Sequence, residues 1–164
     1  MRQVPLIDRS RCSALVITCS DFRFKTAERA FAEQLGLVDD YDLIARPGAS
    51  RALVAPKMPA ARETLLAEID LLWSAHHFER ILLVHHVSCR AYDDLASPAN
   101  EHAIHGEHLG RAQEALAGRH TDVRVETYLL EVRDGAITAV AVGDGGAPGG
   151  DDPPLHMIRG KGVA

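Results

Sequence analysis

Cysteine is scarce in this chain of 164 residues: three are present, Cys12, Cys19 and Cys89. So few, and an odd number, argue against a disulfide framework as the organising principle. An excess of positive charge is also missing, the formal net charge being −5, which leaves no broad basic footprint for nucleic acid and points to a small-molecule partner. No run approaches the ~20 apolar residues of a membrane helix, and residues 1–8 lack the apolar core of a signal peptide. A soluble, cytoplasmic protein with no membrane partner is therefore expected. No internal repeat is visible, and the length suits one domain with a substantial core but is too short for two.

What is present is an alternation of short apolar runs and amphipathic stretches. Residues 13–19 form a near-continuous apolar run of strand length, as expected for a strand covered on both faces. Residues 26–35 place Ala27, Ala30, Phe31 and Leu35 at helical spacing, and Gly36 ends the pattern. A second short strand over residues 42–46 is broken by Pro47-Gly48. Residues 59–76 put Leu65, Leu66, Ile69, Leu72 and Trp73 on one helical face. A third strand covers residues 80–86, a further helix residues 97–117 with Gly118 as its stop, and a fourth strand residues 123–132. Asp134-Gly135 then predicts a hairpin to an antiparallel partner over residues 136–142. The fold class is thus α/β, a mostly parallel central sheet flanked by helices with an antiparallel edge strand, spanning residues 1–142 as a single domain. Residues 143–164, rich in Gly, Pro and Asp, read as a flexible tail or dimer arm.

Two short clusters fall where strands run out, Cys19-Ser20-Asp21-Phe22-Arg23 and His86-Val87-Ser88-Cys89. Ligands of such sheets gather beyond the carboxyl ends of the strands, where strand order reverses, so the two clusters are expected to converge in one crevice. Two thiolates and a neutral imidazole offer three zinc ligands and leave a fourth position open. Zinc lowers the pKa of a bound water to about 7 and so supplies a hydroxide nucleophile. Asp21, held ionised by Arg23, can orient that hydroxide or become the fourth ligand in a closed state. The bland rivals are two buried thiols with a satisfied histidine, and an Asp21–Arg23 ion pair that braces a strand end. His85 faces the other way along its strand and reads as a core residue or as support behind the ligands. His102, His105 and His108 recur every third residue on a helix and read as a solvated face, one of them a possible proton shuttle. His76-His77 complement a helix end, and Arg11, Arg46 and Arg51 read as surface residues able to steer an anion. Cys12 is left over and reads as structural.

These residues resemble the β-class carbonic anhydrase family. Cys19-x-Asp21-x-Arg23 is similar to that family's first metal motif and His86-x-x-Cys89 to its second, and the likeness extends over residues 13–142. The loop Arg46-Pro47-Gly48-Ala49 stands where the family has an Arg-Asn-Ala-Gly loop. Phe24, Pro47-Gly48 and Ala91-Tyr92 bring the chain nearer to a group of short bacterial anhydrase-like members. The resemblance implies Zn2+ on Cys19, His86 and Cys89, with Asp21 and Arg23 catalytic. It also implies reversible hydration of carbon dioxide to bicarbonate by zinc-bound hydroxide in a homodimer or higher homo-oligomer. Gly48, Ala49 and Arg90 are the expected substrate-pocket residues.

Several departures attend the matches. Arg90 stands where the family has glycine, and its side chain can fill the pocket, pair with Asp21 or bind an anion. Pro47 removes a loop donor, and the amino-terminal helix that embraces a partner subunit is missing. Three other functions are weighed. One is the same zinc chemistry on carbonyl sulfide or carbon disulfide; another is a non-catalytic, zinc-stabilised domain binding an anion or a protein. The third, a cysteine phosphatase or sulfur transferase, is disfavoured because Asp21 would repel an anion at Cys19.

Overall fold

The computed structural model describes residues 6–120 and 122–143. Five strands, β1 (Ala14–Thr18), β2 (Tyr41–Ala45), β3 (Arg80–His86), β4 (Arg124–Arg133) and β5 (Ala136–Ala141), form one sheet in the order β2-β1-β3-β4-β5. All neighbours are parallel except the β4–β5 hairpin. Asp134 and Gly135 both take positive φ (51° and 74°) at its tip, the backbone that two-residue hairpins require. The α/β class and the antiparallel edge expected from the sequence are what the chain adopts.

Alternation along the central strands divides the core in two. Leu15, Ile17, Ile81 and Leu83 point to one face, where they meet Leu53, Leu65, Ile69, Phe78, Leu109, Ala112 and Leu116. Those partners come largely from α2 (Arg51–Val54), α3 (Ala61–His76) and α4 (Glu101–Leu116). Ala14, Val16, Leu82 and Val84 point to the other face, against Phe24, Phe31, Ala32, Tyr128 and Leu130. There α1 (Lys25–Gln34) provides the cover. Burial on both faces is why β1 is apolar at nearly every position. The α3 stripe is seen, with Leu65 and Ile69 fully buried.

From β1 the chain steps one way to β2 and then crosses back to lay β3 on the other side of β1. The order thus reverses at the β1–β3 pair, which joins Ala14–Thr18 to residues 80–84 in register. Cys19 follows the carboxyl end of β1 and His86 is the last residue of β3. One α-helix was not expected, the short α2 immediately after the Pro47-Gly48 break. No helix among the described residues is long and apolar enough to cross a membrane. Of the segment expected as a tail or dimer arm, residues 144–164 lie outside the described residues.

Candidate metal centre

Where β1 stops, Asp21 accepts a hydrogen bond from the Arg23 backbone N–H (3.0 Å) and opens a 3-10 turn over Phe22–Phe24. Where β3 stops, Ser88 adopts φ +56°. For a residue with a Cβ this backbone is sparsely populated and must be held by its surroundings. It is held on both sides, since the Arg23 guanidinium donates to the Ser88 carbonyl (3.0 Å) and the Ser88 N–H donates to the Glu101 carboxylate. This turn brings Cys89 back beside His86.

The side chains of Cys19, His86 and Cys89, all buried, present ligand atoms within 4.8 Å of one another. The two sulfurs lie 3.7 Å apart and are unbonded. His86 donates from Nδ1 to the Val87 carbonyl (2.8 Å), so its Nε2 carries the lone pair. That Nε2 is buried and has no hydrogen-bond partner among the described residues. A buried polar atom left alone costs roughly 1–3 kcal/mol; bound to a metal, it would be satisfied. The Phe24 ring stacks on the imidazole at 4.0 Å and fixes its plane. Between the sulfurs the first proton leaves Cys19, whose thiolate is favoured by the Cys89 hydrogen bond and further by the Gly48 N–H. The same hydrogen bond, with burial, pushes Cys89 up. Two adjacent thiolates need a cation between them, which this donor set invites.

Gly48 approaches the site closely, its N–H lying 3.4 Å from the Cys19 sulfur. Its φ is +78°, and a Cβ there would meet that of Ala91 at 3.1 Å. Ala49 is buried beside it. Asp21 is gripped by Arg23, whose Nη2 reaches Oδ2 at 2.6 Å and whose Nε reaches both oxygens at 3.0 and 3.1 Å. That guanidinium holds the carboxyl down to about 2. Asp21 Oδ2 also stands 4.0 Å from His86 Nε2, beside the three ligand atoms.

Above them opens a cleft of about 510 Å³ lined by Cys19, Asp21, Arg23, Cys89 and Arg90 with Phe22, Pro47 and Ala91. Arg90 neither fills this space nor pairs with Asp21: its side chain is 90% exposed and lies 3.7 Å from Asp93. Of the expected pocket residues, Arg90 lines the cleft, Gly48 abuts Cys19 and Ala91 without lining it, and Ala49 is buried and takes no part in the lining.

Three expectations need correction. His105 and His108 are buried, and only His102 of that series is on a solvated face. The reason is that His105, His108, Leu109, Ala112 and Leu116 make one helical stripe, and that stripe is the face α4 turns inward. Arg51 is likewise no surface cation; it is buried, pairs bidentately with Asp94 (2.8 Å each) and donates to the Ala91 carbonyl. His76 does more than complement a helix end, since its Nδ1 meets Asp42 at 2.7 Å.

Sequence reading missed a polar cluster on the α4 side of β3. His85 Nε2 meets Ser50 Oγ at 2.8 Å, and its Nδ1 lies 3.1 Å from His105 Nδ1 and 3.4 Å from the Tyr92 hydroxyl. His108 reaches the same hydroxyl at 3.3 Å. The Tyr92 ring in turn packs against Cys19 and Cys89. Burial keeps the imidazoles neutral, lowering His85 well below its ordinary value and His105 to about 4. The stripe just described was the available signal.

A family model described as "Putative carbonic anhydrase" matches residues 9–140. An uncharacterized protein of Rickettsia bellii (strain RML369-C) is 31% identical over 137 residues, covering 80% of this chain and 83% of that protein. One of Rickettsia conorii (strain ATCC VR-613 / Malish 7) is 29% identical over 137 residues, covering 80% and 73%. Among solved structures, that of the β-carbonic anhydrase CcaA superposes with a TM-score of 0.57 at 15% identity, over 82% of this chain and 84% of that one. At that identity the likeness is one of fold.

Proposed function

The chain belongs to the carbonic anhydrase family so described, and on that premise we propose that it hydrates carbon dioxide reversibly to bicarbonate with zinc held by Cys19, His86 and Cys89. The observation that carries the reading is the convergence of these three ligand atoms, one an unpartnered buried imidazole nitrogen, beside the Asp21–Arg23 pair. When bound there, zinc supplies Lewis acidity and an acidic water at neutral pH.

The protein's own groups do the rest. Asp21, ionised at neutral pH by Arg23, turns a fixed acceptor toward the ligand set and orients the nucleophile's proton. Both of its oxygens are engaged by Arg23, which would hold Asp21 as an acceptor beside zinc rather than release it to become a fourth ligand. Phe22, Pro47 and Ala91 give the cleft apolar walls suited to a small uncharged linear substrate. Arg90 at the rim offers a cation to the anionic product, and the proton goes to buffer. His105 and His108 are buried and neutral, so neither serves as an exposed shuttle. In this proposal residues 1–142 act as one domain of a cytoplasmic homodimer; Phe22, 84% exposed, and Leu43 on the edge strand β2 offer apolar surface for a second copy.

Stopped-flow hydration with a pH indicator at roughly pH 7 and pH 8.5, on protein of known zinc content, tests the reading. A rate above buffer that scales with zinc is expected. Zinc-loaded protein at the buffer rate at both pH values would overturn it in favour of carbonyl sulfide, carbon disulfide or a binding role.

A further inference from the structure

At the opposite, amino-terminal end of the sheet a second set of metal-binding side chains comes together. Cys12, Asp42 and His76 place one sulfur, one carboxylate oxygen and one ring nitrogen within 4.8 Å of one another. They arrive from three separate elements: the segment before β1, the edge strand β2, and the last turn of α3. Each backbone is tied in place. The Cys12 N–H donates to the His76 carbonyl (3.3 Å), Asp42 stands opposite Leu15 in the β1–β2 ladder, and His76 closes α3. His76 Nδ1 and Asp42 Oδ2 already meet at 2.7 Å. The Asp42 and His76 side chains are 19% and 41% exposed, so an ion could enter and leave.

From this geometry we propose that Cys12, Asp42 and His76 form a second, independent binding site for zinc or a similar borderline divalent ion, with a fourth position open to water. One thiolate, one imidazole and one carboxylate suit zinc or cobalt and not magnesium or calcium, which take oxygen ligands. A nucleophilic role for Cys12 fits less well. Burial, then the Asp42 charge, raise its thiol, and it donates to the Ala14 carbonyl at 3.4 Å. A divalent cation is what would stabilise a thiolate beside that carboxylate. Binding replaces the thiol proton, which leaves to buffer, and moves the Nδ1 proton that His76 gives to Asp42 onto Nε2 by a change of tautomer; metal–sulfur and metal–nitrogen bonds form without change of oxidation state. The ion would clip the segment before β1 to the exposed edge strand and to the end of α3.

The test counts metal rather than turnover. After zinc loading and desalting, the full chain is expected to hold two equivalents, and Cys12→Ser and His76→Gln one each. Cobalt gives an independent signature. The chain has three cysteines, so with Cys19→Ser and Cys89→Ser combined, any thiolate-to-cobalt absorption band comes from Cys12. That band is expected in the double variant and should vanish when Cys12→Ser is added. One equivalent in both the full chain and Cys12→Ser would overturn the second site, as would two equivalents retained by Cys12→Ser or no band in the double variant. Because the cobalt readout uses a chain stripped of its other sulfurs, its outcome is separate from that of the hydration assay.

Discussion

On the α1 side of β3, His86 keeps Nε2 free among two sulfurs, whereas on the α4 side the adjacent His85 engages both ring nitrogens with Ser50, His105 and Tyr92. One residue of strand separates the two imidazoles, and the pleat sends them to opposite faces of the sheet. Residue type is the same and burial is the same. What differs is whether the neighbouring backbone leaves a nitrogen unspent, as the Val87 carbonyl does by taking the Nδ1 proton of His86. An unspent nitrogen is not enough by itself, since His105 Nε2 on the α4 side is also buried without a partner among the described residues; at His86 it stands within 4.8 Å of two sulfurs.

The contrast is broken most severely at the ligand face. Cys89→Ser should cost the zinc equivalent held at Cys19, His86 and Cys89 and abolish hydration, read by metal analysis and stopped flow on the same sample; full zinc content with hydration retained would remove Cys89 from the ligand set. Next in size, Asp21→Asn leaves the ligands intact and removes the charged acceptor, so zinc content should hold while the hydration rate falls by about 100-fold. On the opposite face the expected effect is on stability and its pH dependence. His105 titrates at about 4 in the folded chain against 6.5 for the free side chain, so the unfolded chain binds the extra proton first. The stability present above pH 6.5 is then lost progressively as pH falls toward 4, by on the order of 3 kcal/mol. Urea midpoints across that window should fall for the native chain and show a flatter slope for His105→Leu, with His85 and His108 supplying what slope remains. Smallest of all, Arg90→Gly removes a side chain that is 90% exposed and should change the hydration rate within about threefold. A large gain would instead show that the arginine obstructs the cleft.

The sequence carried the α/β class, the antiparallel edge and the convergence of Cys19 with His86 and Cys89 because each rests on local pattern. Buried strands read as apolar runs, glycine and Asp-Gly mark the turns, and motifs at two strand ends converge once β1 and β3 pair. The α4 side was not legible for a different reason. His105 and His108 count as polar in any hydropathy pattern, yet they fill core positions because Tyr92 and His85 offer them partners. Arg51 was misread likewise, since only the fold brings Asp94 and the Ala91 carbonyl to its guanidinium. Isolated polar residues reveal their burial only when the partner, distant in sequence, is in view.

The Cys19–Cys89 contact spans 70 residues of chain, and the strand that brings Cys19 to it pairs only in parallel. His86 and Cys89, by contrast, are neighbours before any folding occurs. On the proposed ligand set, a newly made chain would offer an ion two donors early and the third only after β3 has zipped onto β1. Closing so long a loop is a slow, entropically opposed event. The time course of tight metal capture would then be a clock for assembly of the sheet's centre, and a chain stalled before that step would be recognisable by an ion it can hold only loosely.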